Sequence, residues 1–147
     1  MTMVRTATDG WQPQERVAQF HRLCAVLSNV GQSIVRASGP ESLLADVCRI
    51  LVEDGGLRAA WFEAPEAGSG TLVPVARHGH AEIRAESGGS ASYPVTVETR
   101  LAGVLNLQEA EPGFFDEQNS KLLSALASIL SFALERMEGE RQARAQA

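Results

Sequence analysis

SYPVTVETRLAGVLNLQEAEPGFFDEQNSKLLSALASILSFALERM, residues 92–137, reads as two adjacent strands, a turn and a long amphipathic helix. Tyr93, Val95 and Val97 alternate with Pro94 and Thr96, the period of a strand with one buried face. After Glu98 and Thr99, the run Leu101–Leu107 is apolar at almost every position, so this second strand is expected to be covered on both faces. Pro112-Gly113 ends it. Asp116 then carries a carboxylate that can accept an amide proton from a helix's unpaired first turn. Leu123, Leu126, Ile129, Leu130, Ala133, Leu134 and Met137 follow at spacings of three and four, which gathers them into one apolar stripe.

Upstream, residues 13–53 read as two helices. Pro13 stands where a first helical turn tolerates it. Val17, Phe20, Cys24, Leu27, Gly31 and Ile34 alternate three and four apart, the seam of a helical pair. Ser38-Gly39-Pro40 breaks the first helix and opens the second, Glu41–Glu53. There Leu43, Leu44, Val47, Cys48, Leu51 and Val52 make a wide apolar face, and Asp54-Gly55-Gly56 supplies the backbone freedom that helix ends favour. Leu57–Ala64 and Thr71–Arg77 read as strands joined by a polar turn. Pro74 cannot donate to a ladder, so its strand is placed at a sheet edge. Residues 1–12 are expected to be loose, residues 13–137 to form a single domain, and residues 138–147 to be a charged helical or frayed extension.

The chain has 147 residues, the size of one domain able to bury roughly 70% of its unfolded surface. A net charge of −5 argues against nucleic acid or an anionic membrane as the main partner. No apolar run approaches membrane-spanning length, and the start MTMVRTATDG lacks the apolar centre of a signal peptide, so the expected compartment is the cytoplasm. Cys24 and Cys48 lie in apolar, helix-periodic stretches without a C-x-x-C spacing. They are expected to be buried reduced thiols, with no disulfide and no metal site.

The stretch YPVTVETRLAGVLNL followed by EPGFFDEQNSKLLSALASILSFALE resembles the C-terminal half of a GAF domain, the small-molecule-sensing module of many signalling proteins. LLADVCRILVEDGGLRAAWFEA and GTLVPVARHG resemble the family's first half. The resemblance implies an α+β, PAS-like fold: a central antiparallel sheet of four to five strands, with the N- and C-terminal helices packed on one face. One departure is plain. GAF domains carry a long segment between the second strand and the last hairpin, which closes over the ligand; here residues 79–90 alone join the two.

The residues that perform chemistry in relatives are not matched. The Asn-Lys-Phe-Asp-Glu signature of cyclic-nucleotide-binding members is absent, and Asp116 and Glu117 in FFDEQNS suit helix capping. Bilin-binding members and free-methionine-sulfoxide reductases use cysteines in the central segment, where neither Cys24 nor Cys48 falls. No nucleophile–base pair, phosphate-cradling loop or metal cluster stands out, so no catalytic residue, cofactor or metal is assigned.

Four residues are candidates for a ligand site. Trp61, beside Phe62, suits an aromatic pocket wall, although a tryptophan on a central strand is commonly core. Tyr93 is a second candidate ring. His78, in Arg77-His78-Gly79-His80, offers metal, haem or pH-sensing chemistry, or is an ordinary surface residue. Asn106 interrupts an apolar strand, and its amide needs partners from the backbone or from a polar ligand. The terminal helices carry wider stripes than a thin sheet needs. In GAF proteins such helices pair with their copies, so Phe20, Cys24, Leu27, Ile34, Leu123, Leu126, Leu130, Leu134 and Met137 are expected at a homodimer interface. The resulting reading is a non-catalytic sensory domain, dimeric, with a small-molecule ligand and a kinase- or cyclase-type output domain in the parent protein or in trans. A structural dimerisation module without ligand, and a redox enzyme of the sulfoxide-reductase kind, are the alternatives.

Overall fold

Seven elements carry the fold in the computed structural model, which describes residues 13–80, 89–109 and 113–146. The expected loose segment 1–12 and most of the 79–90 connection lie outside the described residues. In chain order the elements are α1 (Pro13–Arg36), α2 (Pro40–Glu53), β1 (Ala59–Pro65), β2 (Leu72–Gly79), β3 (Gly89–Val97), β4 (Arg100–Glu109) and α3 (Glu117–Gln146). None of these helices is long and apolar enough to cross a membrane.

The punctuation residues act as their chemistry requires. Pro40 occupies the first turn of α2, where a missing N–H costs nothing. Gly56 ends that helix with a φ of 79°, a left-handed conformation open to glycine without a Cβ clash. Asp116 caps α3: its Oδ1 accepts the Asn119 N–H at 2.8 Å. The buried Asn119 side chain in turn donates to the Phe114 carbonyl at 2.8 Å, which ties the turn at 113–115 to the start of the helix.

The four described strands form one antiparallel sheet in the order β2-β1-β4-β3. Pro74 therefore does lie on an edge strand, with a register shift beside it between Phe62 and Glu63. β4 is interior in the strand order, and Leu105 and Leu107 on its helix side are fully buried. Val104 on the other side is only half-buried, so the expected cover on both faces is not found among the described residues.

Cross-strand pairing separates the two faces of the sheet. One row runs Ala76, Phe62, Leu105, Tyr93 across the four strands. This inner face meets the helices in a single core with Leu43, Val47 and Leu51 of α2 and Leu123, Leu126 and Leu130 of α3. α2 packs on β1 and β2, and α3 on β3. α1 packs on both helices and completes the core with Leu23, Val26 and Val30. Each such aliphatic side chain contributes about 1.5–3 kcal/mol of burial.

α1 and α3 run parallel. Arg16 meets Asp116 at the start of α3, and at the far end Ile34 shares a cleft with Ala133 and Met137. α3 also holds the β3–β4 hairpin. Ser131 Oγ accepts the Thr96 N–H at 3.1 Å, Glu135 accepts the Glu98 N–H at 3.3 Å, and Glu138 pairs with Arg100. Glu98, at the hairpin tip, has a φ of 58°, an uncommon conformation for a residue with a Cβ.

Candidate functional site

The face of the sheet turned away from the helices carries a different row: Arg77, Trp61, Asn106 and Ser92, one from each strand and directly opposite one another. Alternation along β1 and β4 puts them there, because Phe62 and Leu105, one residue on, face the core. Asn106 is 8% exposed, and its amide is fully engaged. Its Oδ1 accepts the Ser92 hydroxyl at 2.6 Å, while its Nδ2 donates to Glu63 Oε1 at 3.0 Å and to the Val104 carbonyl at 3.3 Å. A polar relay thus spans three strands, and it fixes the Glu63 carboxylate on the same face as Trp61, two residues away. Beside Trp61 a hollow of about 180 Å³ opens against Pro74 and Arg77.

Of the four ligand candidates, only Trp61 and Asn106 share this face. Tyr93 points the other way, pairs with Leu105 and packs against the core. His78 borders the hollow beside Trp61, but its ring lies on the helix side, where its Nε2 is 3.1 Å from Glu53 Oε2 at the end of α2. The reason is parity: residues in cross-strand register share a face, and Tyr93 and His78 are in register with inward-facing residues. Trp61 is half-buried on the outer face rather than core. Glu63 and Ser92 join Asn106 only through register, so a single strand's pattern does not reveal them.

The dimer residues divide as well. Leu123, Leu126, Leu130 and Leu134 are at most 7% exposed within one protomer. They fill the chain's own core and are not available to a partner, which corrects their assignment to an interface. Met137 is half-buried against the same core. On α1 the buried stripe is Gln19, Leu23, Val26, Val30 and Ser33. The expected seam lies beside it, with Phe20, Leu27 and Ile34 half-buried. Cys24 is exposed, contrary to expectation, because it falls on the outward side of that seam. Cys48 is buried, and loss of solvent pushes its thiol from the ordinary 9.0 up to about 12.

Among the described residues, no group of three or more His, Cys, Asp and Glu side chains is arranged to hold a metal ion.

Among the described residues the helices lie on one face of the antiparallel sheet and leave the other without a helix, a fold shared with solved GAF domains. The GAF domain family model matches residues 72–135, the span from β2 through most of α3, and the fold is that of solved GAF domains. The GAF domain of a phosphoenolpyruvate-protein phosphotransferase from Coxiella burnetii is similar, with a TM-score of 0.67 at 16% identity, covering 87% of this chain and 99% of that one. Free methionine-R-sulfoxide reductase from Neisseria meningitidis, solved with its substrate, gives 0.67 at 21% identity, over 82% of this chain and 91% of that one. The GAF domain of a putative sensor histidine kinase from Pseudomonas syringae pv. tomato gives 0.63 at 19% identity, over 91% and 96%. No curated protein sequence matches the chain.

Proposed function

We propose that this chain is a non-catalytic regulatory domain that works as a homodimer through its α1–α3 layer. The observation that carries this reading is the apolar surface left after the core is filled. Val17 is 55% exposed, Val35 84% and Phe132 65%, and Ile129 lies on the same outward side of α3 as Phe132. The Arg16–Asp116 pair puts the Phe20–Leu27–Ile34 side of α1 next to α3, so the two exposed rows border one groove. Parallel helices with such a groove suit a four-helix bundle with a second copy. Cys24 sits on the outward edge of this seam and Cys48 is buried in α2, both on the side of the sheet away from Trp61, which favours regulation over thiol redox chemistry. A kinase- or cyclase-type output domain, in the parent protein or in trans, would receive the movement of α3.

The second reading, a small molecule on the outer face, rests on the Ser92–Asn106–Glu63 relay beside Trp61. A carboxylate held in place next to a half-buried indole suits recognition of a ligand.

Native mass spectrometry of freshly purified protein separates these readings. A dimer with added small-molecule mass supports both; a bare dimer supports the dimerisation module alone. A bare monomer, also seen by sedimentation at high micromolar concentration, would sink the homodimer. Phe132→Asp should give folded monomer, because the side chain is already exposed in one protomer.

A further inference from the structure

At the far end of the helical layer, away from the sheet's outer face, α3 overruns the core and faces the turn between α1 and α2 across a cleft of about 590 Å³. That volume falls in the range of small-molecule sites. Arg136, Arg141 and Arg144 line it from α3. Three arginines elsewhere in the chain meet carboxylates: Arg16 with Asp116, Arg49 with Asp46 and Glu53, Arg100 with Glu138. In a chain with 18 acidic and 13 basic side chains, carboxylates are the abundant partner. Yet among the described residues none lies within ion-pair distance of these three guanidinium groups, although Glu41 and Glu140 line the same cleft. Three positive and two negative side chains leave the cleft at a formal +1, against −5 for the whole chain. The opposite character is present too, since Ile34, Val35, Ala133 and Met137 give the cleft an apolar wall.

We propose that this cleft binds a small organic phosphate carrying at least two negative charges. The guanidinium groups hold its phosphates, and the apolar wall receives its uncharged body. Arginine suits this task because its planar fork meets two phosphate oxygens at once. Like charges gathered in a concave site also focus the field that draws an anion in. The cleft shares Ile34 and Val35 with the α1 side assigned to the dimer, but its three arginines belong neither to that apolar surface nor to the outer sheet face.

Isothermal titration calorimetry on the full chain tests the site with four probes: inorganic phosphate, pyrophosphate, adenosine triphosphate and adenosine. Pyrophosphate and adenosine triphosphate should bind at one site per chain, the nucleotide more tightly, and adenosine should not bind. Inorganic phosphate should be at least about tenfold weaker than pyrophosphate, because it engages fewer arginines. The Arg141→Ala/Arg144→Ala double variant replaces exposed side chains and should keep its circular dichroism. It should weaken pyrophosphate binding by about tenfold to a hundredfold, since two charge-assisted contacts are lost. Arg49→Ala, a cation on another helix, should bind as the parent does. Absence of heat with pyrophosphate and nucleotide, binding that survives the double substitution, or equal weakening by Arg49→Ala would each overturn the site.

Discussion

Phe62 and Trp61 are one peptide bond apart on β1, and they live in different solvents. Phe62 is 1% exposed, faces Leu105 and closes against the helices. Trp61 is half-buried on the other face, opposite Asn106 and Arg77. The inner row is apolar from strand to strand and answers to packing; the outer row is an arginine, an indole, an amide and a hydroxyl. α3 shows the same division, with Leu130 fully buried and Phe132 two residues on 65% exposed. One side of each element is therefore used up by folding, and the other is left for something else to meet.

That contrast can be broken most forcefully at Leu130. Leu130→Asp puts a charge where no solvent reaches and should abolish the cooperative unfolding transition, whereas Phe132→Asp should change stability by less than about 0.5 kcal/mol and alter assembly alone. Chemical denaturation and sedimentation of the two variants decide this. On β1, Phe62→Ala should cost about 3–5 kcal/mol. Trp61→Ala should cost clearly less, about 1 kcal/mol, because the ring is only half-buried. Equal losses would mean that the outer face is covered as tightly as the inner one.

Gly103 sharpens the same point by overfilling. A Cβ there would lie 2.3 Å from Phe62 Cε1 and 2.5 Å from the Glu63 carbonyl, so Gly103→Ala should cost about 1–3 kcal/mol. The two thiols give a pH test. Cys48 holds its proton to about 12 when folded and to about 9.0 when unfolded. Between those values the unfolded chain has lost a proton that the folded one keeps. Stability should thus fall by up to about 1.4 kcal/mol per pH unit above the lower value, and be insensitive to this group below it. Cys48→Ala should remove that part of the alkaline slope. A thiol reagent near neutral pH should modify Cys24 at once and Cys48 only on unfolding. Asn106→Ala should cost only about 1 kcal/mol, because Glu63 and Ser92 are near enough to solvent to recover partners in water. A loss of several kcal/mol would place the relay in the structural core.

Element type and order were legible along the chain because the signals are local. Pro40, Gly56 and Asp116 act within a turn of where they stand, and the apolar periods of α2 and α3 are set by backbone geometry alone. Pro74 likewise announced an edge strand through its missing donor. What the pattern along one segment does not contain is which of two adjacent stripes finds a partner first. On α1, Phe20, Leu27 and Ile34 form as regular a seam as Leu23, Val26 and Val30. Only the positions of α2 and α3 decided that the second is core. The outer site was half legible for the same reason. Trp61 and Asn106 stood out by residue type, but Glu63 and Ser92 joined them through strand register, and Tyr93 and His78 left by it. By itself the sequence determined the elements and, for α2 and α3, the face each would bury, since propensity, capping and periodicity are properties of neighbours in the chain. Only the tertiary structure decided which side chains share a face, which cysteine meets solvent and which arginines have no partner, because those depend on pairings between residues distant in sequence.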